Sequence, residues 1–252
     1  MSLRDTVESI IRQYPEKLVA GQLTQLDRFT FEVGLVLERA GKGARVCDIG
    51  GGWGTFALGC AASGMKSVLV DDFRDEGFFE QDVMDAMRRL YDKYGVEVVS
   101  RDVVATQIDF PERSFDAITT FDALEHWHAS PKRLLARVAK TVRSGGLFVL
   151  ATPNCVNLRK RITVPLGRGK WTPMEAWYEQ EVFRGHVREP DVDDLRYIAR
   201  DMNLAGYEII GRNWMGYDAR SPLVRKLTPF VDRLLRLRPT LCSDLYLVGT
   251  VA

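Results

Sequence analysis

Short apolar runs alternate with amphipathic stretches from Ala44 onward, and this alternation predicts a parallel sheet covered by helices. The apolar runs predict strands at residues 45–49, 67–70, 96–100, 115–121, 147–152, 206–211 and 244–251. Amphipathic stretches predict a helix that ends near Ala62 and further helices at 78–94, 131–142 and 191–203. A turn at Ser144, Gly145 and Gly146 is expected to introduce the fifth strand. The fold class is therefore α/β.

The first 43 residues show helical periodicity and no strand pattern, which predicts a helical lead-in packed on the domain edge. One apolar stripe ends at Tyr14, before Pro15 interrupts the helix, and a second stripe ends near Gly41. Residues 44–252 then form one domain. Two segments fit no strand–helix alternation, and we expect them to be insertions that form lids, at 155–189 and 214–243.

The first strand ends in an acid and leads into a run of glycines. Asp48 lies at the carboxyl end of the strand, where doubly wound sheets bind their ligands. Gly50, Gly51 and Gly52 lack a Cβ atom, so the chain can turn sharply and a ligand can touch the backbone. A helix that begins near Trp53 would direct its unpaired N–H groups and positive dipole end toward the same place. This arrangement predicts a site for an anionic group of a ligand.

The spacing of Asp48, Gly50, Gly52 and Gly54 resembles the first motif, Asp-x-Gly-x-Gly-x-Gly, of class I S-adenosylmethionine-dependent methyltransferases. Nicotinamide-binding proteins share part of this pattern, but their third glycine would fall on Thr55. The resemblance implies S-adenosylmethionine as cofactor and S-adenosylhomocysteine as product. It also implies a Rossmann-like seven-stranded, mostly parallel sheet in the order 3-2-1-4-5-7-6, with the last strand antiparallel and helices on both faces.

Later motifs extend this resemblance over residues 44–154 in the expected order. Phe115-Asp116 opens the fourth strand, and Leu124-Glu125-His126 follows it, as in the small-molecule branch of the family. Ser144-Gly145-Gly146 resembles the family's Pro-Gly-Gly turn, with serine in place of proline. Thr152-Pro153-Asn154 resembles the end of its fifth strand. The resemblance is general beyond residue 154.

Acidic residues follow the second and third strands, where the fold would bring them beside Asp48. A carboxylate at Asp71 can accept both ribose hydroxyls, as the acid of a dinucleotide fold does, and Asp72 is the neighbour that could share this role. The resemblance implies that Asp102 meets the adenine amino group and that the next backbone N–H meets a ring nitrogen. A helix cap is the alternative role for Asp102. The complete cofactor-binding set implied by the resemblance is Asp48, Gly50, Gly51, Gly52, Asp71, Asp72, Asp102, Val103 and Phe121.

Methyl transfer to a hydroxyl requires that two ligands be positioned and that a proton be removed. His126 is the leading candidate for the base, because it follows the fourth strand and an ordinary imidazole pKa of about 6.5 suits proton removal near neutral pH. The alternative is a histidine that caps the strand by hydrogen bonds to the backbone. His186 is the second candidate, since segments after the fifth strand fold over the acceptor pocket in the family. Arg28 either reaches the methionine carboxylate of the cofactor or is a solvated side chain on a helix.

Asp122, Glu125 and His126 also resemble the Glu-x-x-Glu-His trio of quinone-biosynthesis O-methyltransferases, where a divalent metal can bind. The first acid here is aspartate, whose shorter side chain reaches less far. Oxygen-rich metal sites need several converging ligands. We therefore expect no metal.

Two segments combine cations with apolar residues and bear on the acceptor. In 155–189 the cations are Arg159, Lys160, Arg161, Arg168 and Lys170, and the aromatic residues are Trp171, Trp177, Tyr178 and Phe183. This combination predicts an anionic acceptor with a sugar-like or apolar body, or alternatively a solvated lid. The segment 221–238 repeats leucines at helical spacing among arginines. It predicts peripheral contact with an anionic bilayer, or packing on this domain or on a twin subunit in a homodimer.

Composition excludes several classes of protein. The net charge of +1 argues against a nucleic-acid partner, and the hydrophobic fraction of 46% is sufficient for a sizeable core. The four cysteines are far apart and form no metal-binding pattern, so buried free thiols are expected. Neither a leader-like apolar segment nor an apolar run long enough to span a bilayer is visible, so we expect a soluble cytoplasmic protein.

The sequence therefore predicts a methyltransferase that transfers a methyl group from S-adenosylmethionine to a small molecule, at an oxygen of a sugar or lipid-linked metabolite. Two alternatives use the same crevice. One is a nicotinamide-dependent oxidoreductase, which the mismatch at Thr55 disfavours. The other is a module that binds S-adenosylmethionine without turnover.

Overall fold

One mixed sheet forms the centre of the computed structural model, which describes residues 1–74, 80–169, 172–217, 219 and 221–252. Its strands are β1 Arg45–Ile49, β2 Lys66–Asp71, β3 Glu97–Ser100, β4 Phe115–Phe121, β5 Val142–Pro153, β6 Leu204–Arg212 and β7 Asp244–Val251. Their order across the sheet is β3-β2-β1-β4-β5-β7-β6. β7 runs antiparallel to both β5 and β6, and the other neighbours are parallel. The predicted seven-stranded Rossmann-like sheet and its strand order are confirmed.

Helices cover both faces of the sheet. In chain order they are α1 Leu3–Ile11, α2 Glu16–Thr24, α3 Leu26–Ala40, α4 Thr55–Ala62, α5 Gln81–Tyr94, α6 Val103–Thr106, α7 Lys132–Thr141, α8 Leu158–Thr163, α9 Met174–Tyr178, α10 Val192–Asp201, α11 Trp214–Tyr217 and α12 Pro222–Leu235. Pro15 separates α1 from α2, because it stands immediately before the first residue of α2. Phe78, where the sequence places the start of α5, lies outside the described residues. None of the described helices combines the length and hydropathy needed to cross a bilayer.

The apolar core has a layer on each face of the sheet. On one face Val46 and Val149 pack with the lead-in helices α1 and α3 and with α4. On the other face Cys47, Ile49 and Phe148 pack with α7 and α10. Successive strand residues point to opposite faces, so a central strand covered on both sides must be apolar nearly throughout, which explains the continuous runs in the sequence.

The fifth strand begins earlier than the sequence suggests. β5 starts at Val142, which pairs with Phe115, and the register between β4 and β5 shifts before Ala117 pairs with Leu147. The predicted turn at 144–146 is therefore an irregularity inside a strand, where Gly145 takes a positive φ of 73°. A glycine adopts this backbone conformation without the steric cost that a Cβ atom would bring.

Both segments that interrupt the strand–helix alternation emerge at one edge of the sheet. β6 is parallel to β5, because each is antiparallel to β7. The segment 155–189, which contains α8 and α9, follows β5, and the segment 214–243, which contains α11 and α12, follows β6. They therefore leave the sheet at the edge where β1, β2 and β4 also end.

Candidate active site

The turn after β1 is shaped by three glycines with different requirements. A Cβ atom at Gly51 would lie 2.2 Å from Oδ2 of Asp48, and one at Gly50 would lie 2.5 Å from Cβ of Ala123. Gly52 has a φ of 55° and no atom within 4 Å of the position that its Cβ would take. Packing therefore leaves no room for a side chain at Gly50 or Gly51. Gly52 has a left-handed backbone and open space beside it.

Asp71, at the carboxyl end of β2, is tied to this turn. Its Oδ2 accepts a hydrogen bond from the N–H of Gly52 at 2.8 Å, and its Oδ1 accepts one from the N–H of Phe73 at 2.8 Å. The neighbouring Asp72 accepts a hydrogen bond from the N–H of Arg74 at 3.1 Å. Asp71 thus fixes the spacing between the tips of β1 and β2.

Asp102 caps α6 by accepting a hydrogen bond from the N–H of Ala105 at 3.0 Å. Its second oxygen, Oδ2, lies 3.5 Å from a guanidinium nitrogen of Arg74. The capping role that the sequence offered as an alternative is therefore present. Asp102 and Val103 nevertheless face the same cavity as the glycine turn, so the cap and a ligand contact are compatible.

A cavity of about 390 Å³ runs along this edge of the sheet. Its volume falls within the range of roughly 300–1,000 Å³ that is usual for small-molecule sites. The predicted site residues that line it are Gly50, Gly52, Asp71, Asp72, Asp102, Val103 and His126. The structure thus brings seven of the predicted site residues together.

Asp48, Gly51 and Phe121 are not among the described residues that line the cavity. Asp48 is buried and accepts a hydrogen bond from the Thr119 hydroxyl at 2.9 Å, and burial raises the pKa of its carboxyl to about 8. Phe121 packs edge-to-face on Phe56 at a centroid distance of 4.8 Å. These contacts support the cavity wall from the core side.

His126 ends a short 3-10 helix, Leu124–His126, that follows β4. Its Nδ1 lies 2.6 Å from the backbone carbonyl oxygen of Arg184. A carbonyl only accepts hydrogen bonds, so Nδ1 carries the proton and Nε2 carries the lone pair in the neutral ring. The ring therefore bonds to the backbone of the segment after β5, and not to β4 as the capping alternative predicted, and this contact fixes the tautomer that a base needs.

His186 packs edge-to-face on His126 at a centroid distance of 4.8 Å. Its Nδ1 lies 2.8 Å from Oε1 of Glu189, and the other oxygen of Glu189 pairs with Lys160. The hydrogen bond to Glu189 raises the pKa of His186. Burial alone would raise the pKa of Glu189, but its bonds to His186 and Lys160 outweigh burial and lower that pKa to about 2.

Glu125 is fully buried beside the two histidines. Its Oε2 accepts a hydrogen bond from the Thr152 hydroxyl at 3.2 Å, and its Oε1 has no hydrogen-bond partner among the described residues. Burial raises the pKa of this carboxyl to about 7. Glu125, His126 and His186 each offer one ligand atom within 4.8 Å of the others, so they could hold a divalent cation. The expectation that no metal binds stays a prediction.

Arg28 of α3 lies close to this cluster. It pairs with Asp122 at the end of β4 and, at 3.0 Å, with Glu32. Only 15% of its side chain is exposed, so the interpretation as a solvated arginine was wrong. Glu32 is itself buried and accepts a hydrogen bond from the Tyr246 hydroxyl at 2.8 Å. The four-residue spacing of Arg28 and Glu32 could have indicated their pairing, whereas the contact with Asp122 depends on the folded chain.

Known proteins that resemble this chain support the same interpretation of the site as its geometry does. A model of a methyltransferase domain family matches residues 24–210. The chain is 30% identical over 154 residues to the ubiquinone biosynthesis O-methyltransferase of Maricaulis maris (strain MCS10). That alignment covers 61% of this chain and 56% of the relative, so the match spans little more than half of the relative's length.

Solved structures with the same fold include a methyltransferase of Thermotoga maritima described as a possible histamine N-methyltransferase. The two are 14% identical, each chain is covered completely, and the TM-score is 0.57. Another is phosphoethanolamine N-methyltransferase 2 of Haemonchus contortus with S-adenosylmethionine bound, at 16% identity, 99% coverage of this chain, 60% coverage of that chain and a TM-score of 0.58. At these identities the likeness shows the fold alone. The family match and the fold together show that the chain belongs to the class I S-adenosylmethionine-dependent methyltransferases. This membership disfavours the nicotinamide-dependent alternative.

Proposed function

We propose that the cavity binds S-adenosylmethionine and that the enzyme methylates a hydroxyl of a lipid-linked small molecule. The observation that carries the proposal is the shared cavity: the glycine turn, Asp71, Asp102 and His126 all line it. Cofactor-holding groups and a candidate base therefore meet in one space, which is the arrangement that transfer between two bound ligands needs.

The described residues fit the cofactor. Gly52 leaves open space beside its backbone, and no Cβ atom obstructs it. Asp71 accepts hydrogen bonds from two backbone N–H groups, and its carboxylate lines the cavity, where the ribose hydroxyls would meet it. Asp102 and Val103 line the same cavity as the glycine turn, and an adenine ring would be held against them. When bound, S-adenosylmethionine supplies a methyl group made electrophilic by its sulfonium sulfur.

His126 then acts on the acceptor. Its Nε2 would take the proton of the acceptor hydroxyl, and the Arg184 carbonyl would stabilise the resulting imidazolium through Nδ1–H. The acceptor oxygen would gain the methyl group as the methyl–sulfur bond of the cofactor breaks, which leaves S-adenosylhomocysteine. His186 and Glu189 restrict the ring of His126 from the side, because the two imidazoles pack edge-to-face. In this arrangement His126 is the catalytic residue and His186 is the second candidate for proton removal.

A sequence motif, a curated relative and the exposed residues of the segment 155–189 support the class of acceptor. Asp122, Glu125 and His126 resemble the trio of quinone-biosynthesis O-methyltransferases, and the curated relative is an O-methyltransferase of ubiquinone biosynthesis. The segment 155–189 exposes apolar side chains, including Leu166 and Tyr178, beside its cations. Lys170 and Trp171, which belong to the same predicted pattern, lie outside the described residues. An acceptor with a polar reacting end and an apolar body fits these surroundings better than a free sugar does.

Methyl-labelled S-adenosylmethionine tests this function directly. The protein is incubated with the label and with lipid-extracted and water-soluble fractions of cells, alongside His126→Ala. We expect label in the lipid fraction, in a product stable to mild acid and base as a methyl ether is, and a large loss in the variant. Label confined to water-soluble products would refute the lipid-linked acceptor. Binding of S-adenosylhomocysteine without methyl transfer to any fraction would favour the non-catalytic module.

A further inference from the structure

Helix α12 packs on the rest of the protein through polar side chains. Thr228 and Asp232 are its buried residues. Asp232 accepts hydrogen bonds from the Asn213 side-chain amide at 2.7 Å and from the Tyr217 hydroxyl at 3.0 Å, and it pairs with Arg236. A surface helix of a globular protein normally buries its apolar stripe and exposes its polar face, so α12 is inverted.

The apolar stripe of α12 points away from the protein. Its side chains recur at helical spacing and are 48–75% exposed, and they are Leu223, Leu227, Phe230 and Leu234. Leu237, just after the end of the helix, is 77% exposed. Val224 and Val231 extend the stripe on one side and are also exposed. A contiguous apolar surface of this kind normally marks a contact with a partner or a membrane.

Unpaired cations accompany the stripe. Arg225, Lys226, Arg233 and Arg238 have no ion pair with any described residue. The one acid in the sequence from 221 to 238 is Asp232, which is buried and already paired. The exposed surface of this segment is therefore apolar and positively charged at once, without a compensating acid of its own.

We propose that this surface, residues 221–238, docks on an anionic lipid bilayer. The leucines and Phe230 would enter the boundary between head groups and acyl chains, and the cations would meet lipid phosphates. A second copy of the chain is a poorer occupant, because a two-fold contact places the same patch on both subunits and would bring like cations together. A bilayer supplies the apolar layer and the negative charge in one surface.

The position of α12 connects this contact to the cavity. The segment 214–243 leaves β6 at the edge of the sheet where β1, β2 and β4 end, and the cavity lies along the same edge. The side chain of Arg161 in α8 donates a hydrogen bond at 3.1 Å to the carbonyl of Thr240, just beyond α12. Ile162 and Leu166, which follow Arg161 in the chain, are also exposed. The docking surface itself is independent of the acceptor, whereas its use to reach a lipid-linked acceptor rests on the proposed function.

Vesicle co-sedimentation of the whole 252-residue chain tests the proposal. The probes are vesicles of phosphatidylcholine alone and of phosphatidylcholine mixed with phosphatidylglycerol. The variants are Phe230→Asp with Leu234→Asp, which places charge in the stripe, and Lys226→Glu with Arg233→Glu, which reverses charge beside it. Matched controls are Tyr197→Asp, at an exposed aromatic residue of α10, and Lys140→Glu with Arg89→Glu, at exposed cations of α7 and α5.

We expect the wild-type chain to bind the anionic vesicles and not the neutral ones. Removing two cations near an anionic surface should weaken partitioning by about thirtyfold, and reversing their charge should weaken it further. The stripe variant should lose binding as well, while both controls stay within about twofold of the wild type. Calorimetry with S-adenosylhomocysteine on each variant verifies that the cofactor site is intact, so failure of docking is distinguishable from failure of the proposed function.

Three results would overturn the proposal. The first is that the wild-type chain does not bind anionic vesicles. The second is an equal loss of binding in the control variants, which would assign the effect to overall charge. The third is a dimer in light scattering that Phe230→Asp converts to a monomer while no vesicle binding is seen, because the stripe would then be a subunit interface.

Discussion

Asp71 accepts a hydrogen bond from the backbone N–H of Gly52 at 2.8 Å, and this contact joins the ends of two neighbouring strands. The same carboxylate holds the glycine turn and lines the cavity, so in the proposed function it has both a structural role and a role in binding the cofactor. A side chain that fixes the cofactor pocket and also binds within it should be more sensitive to substitution than its neighbours.

We predict that Asp71→Ala weakens binding of S-adenosylhomocysteine by about a hundredfold or more, because charge-assisted hydrogen bonds are lost and the turn is released. Isothermal titration calorimetry measures this change. Asp72→Ala is the matched variant, since the Asp72 carboxylate bonds to the N–H of Arg74 and not to the glycine turn. It should lower the affinity for S-adenosylhomocysteine less than Asp71→Ala does. A dissociation constant for Asp71→Ala close to that of the wild type would remove Asp71 from the cofactor site.

Gly51→Ala and Gly52→Ala should separate packing from binding. At Gly51 the new Cβ would meet Oδ2 of Asp48 and, at 2.6 Å, Cδ1 of Leu69, so the variant should unfold at a lower temperature. At Gly52 the Cβ meets open space, and only the left-handed backbone costs stability, by about 1–2 kcal/mol. Thermal unfolding and cofactor titration of both variants give the comparison. Gly52→Ala should retain the fold while losing affinity for S-adenosylhomocysteine, and the opposite order would contradict the geometry.

His126→Ala should lower kcat by about a hundredfold or more, because proton removal by a positioned base contributes this much. Affinity for S-adenosylhomocysteine should stay within about twofold, since the glycine turn and Asp71 are untouched. Steady-state kinetics with the acceptor, combined with calorimetry, separates the two quantities. If kcat is unchanged, the acceptor needs no base or receives it from another group, and His186→Ala then decides between these cases.

Glu189→Gln should destabilise the protein in a pH-dependent manner. His186 has a raised pKa, so its share of the stability is complete below its ordinary pKa of 6.5 and disappears as the pH rises through the raised value. Glu189 has a pKa lowered to about 2, so its share is complete above its ordinary 4.5 and disappears as the pH falls through the lowered value. The pair of His186 and Glu189 therefore stabilises the fold most between pH 4.5 and pH 6.5. Urea unfolding near pH 5.5 should show a larger loss than unfolding at pH 8.5, and an equal loss at both would assign the effect to packing.

Arg28→Met should cost about 3–5 kcal/mol of unfolding free energy, because it leaves the buried Glu32 and the partly buried Asp122 without their cation. Arg39→Met, on the same helix, removes an exposed pair with Glu208 and should cost less than about 1 kcal/mol. Urea denaturation of both variants measures the difference. A second change, Glu32→Gln, should recover part of the loss in the Arg28 variant, and no recovery would mean that the ion pair is not its cause.

The sheet could be predicted closely because the physical signals are local. β1, β4 and β7 begin and end where the apolar runs predict, since strands buried on both faces must be apolar throughout. The turn at 144–146 was placed wrongly, because a glycine-rich sequence permits both a turn and an irregular strand. The pairing of Val142 with Phe115 settles this choice, and it involves residues far apart in the sequence.

The site residues could be predicted from the sequence only where they lie at the ends of strands. Asp71 ends β2 and Asp102 comes two residues after β3, so the fold places both on one edge and in one cavity. The contact of His126 with the carbonyl of Arg184 involves a partner 58 residues away, and no local pattern indicates it. The inversion of α12 was equally inaccessible, because periodicity shows that a helix has two faces but not which of them is buried.

The reversed direction of β7 has a consequence for the two segments that follow β5 and β6. Because β7 is antiparallel to both of its neighbours, β5 and β6 run in the same direction, and the segments that follow them leave the sheet at one edge. The glycine turn and Asp71 belong to β1 and β2, which these two segments do not interrupt. A change of composition in these two segments would therefore alter what covers that edge of the sheet and leave the turn after β1 in place.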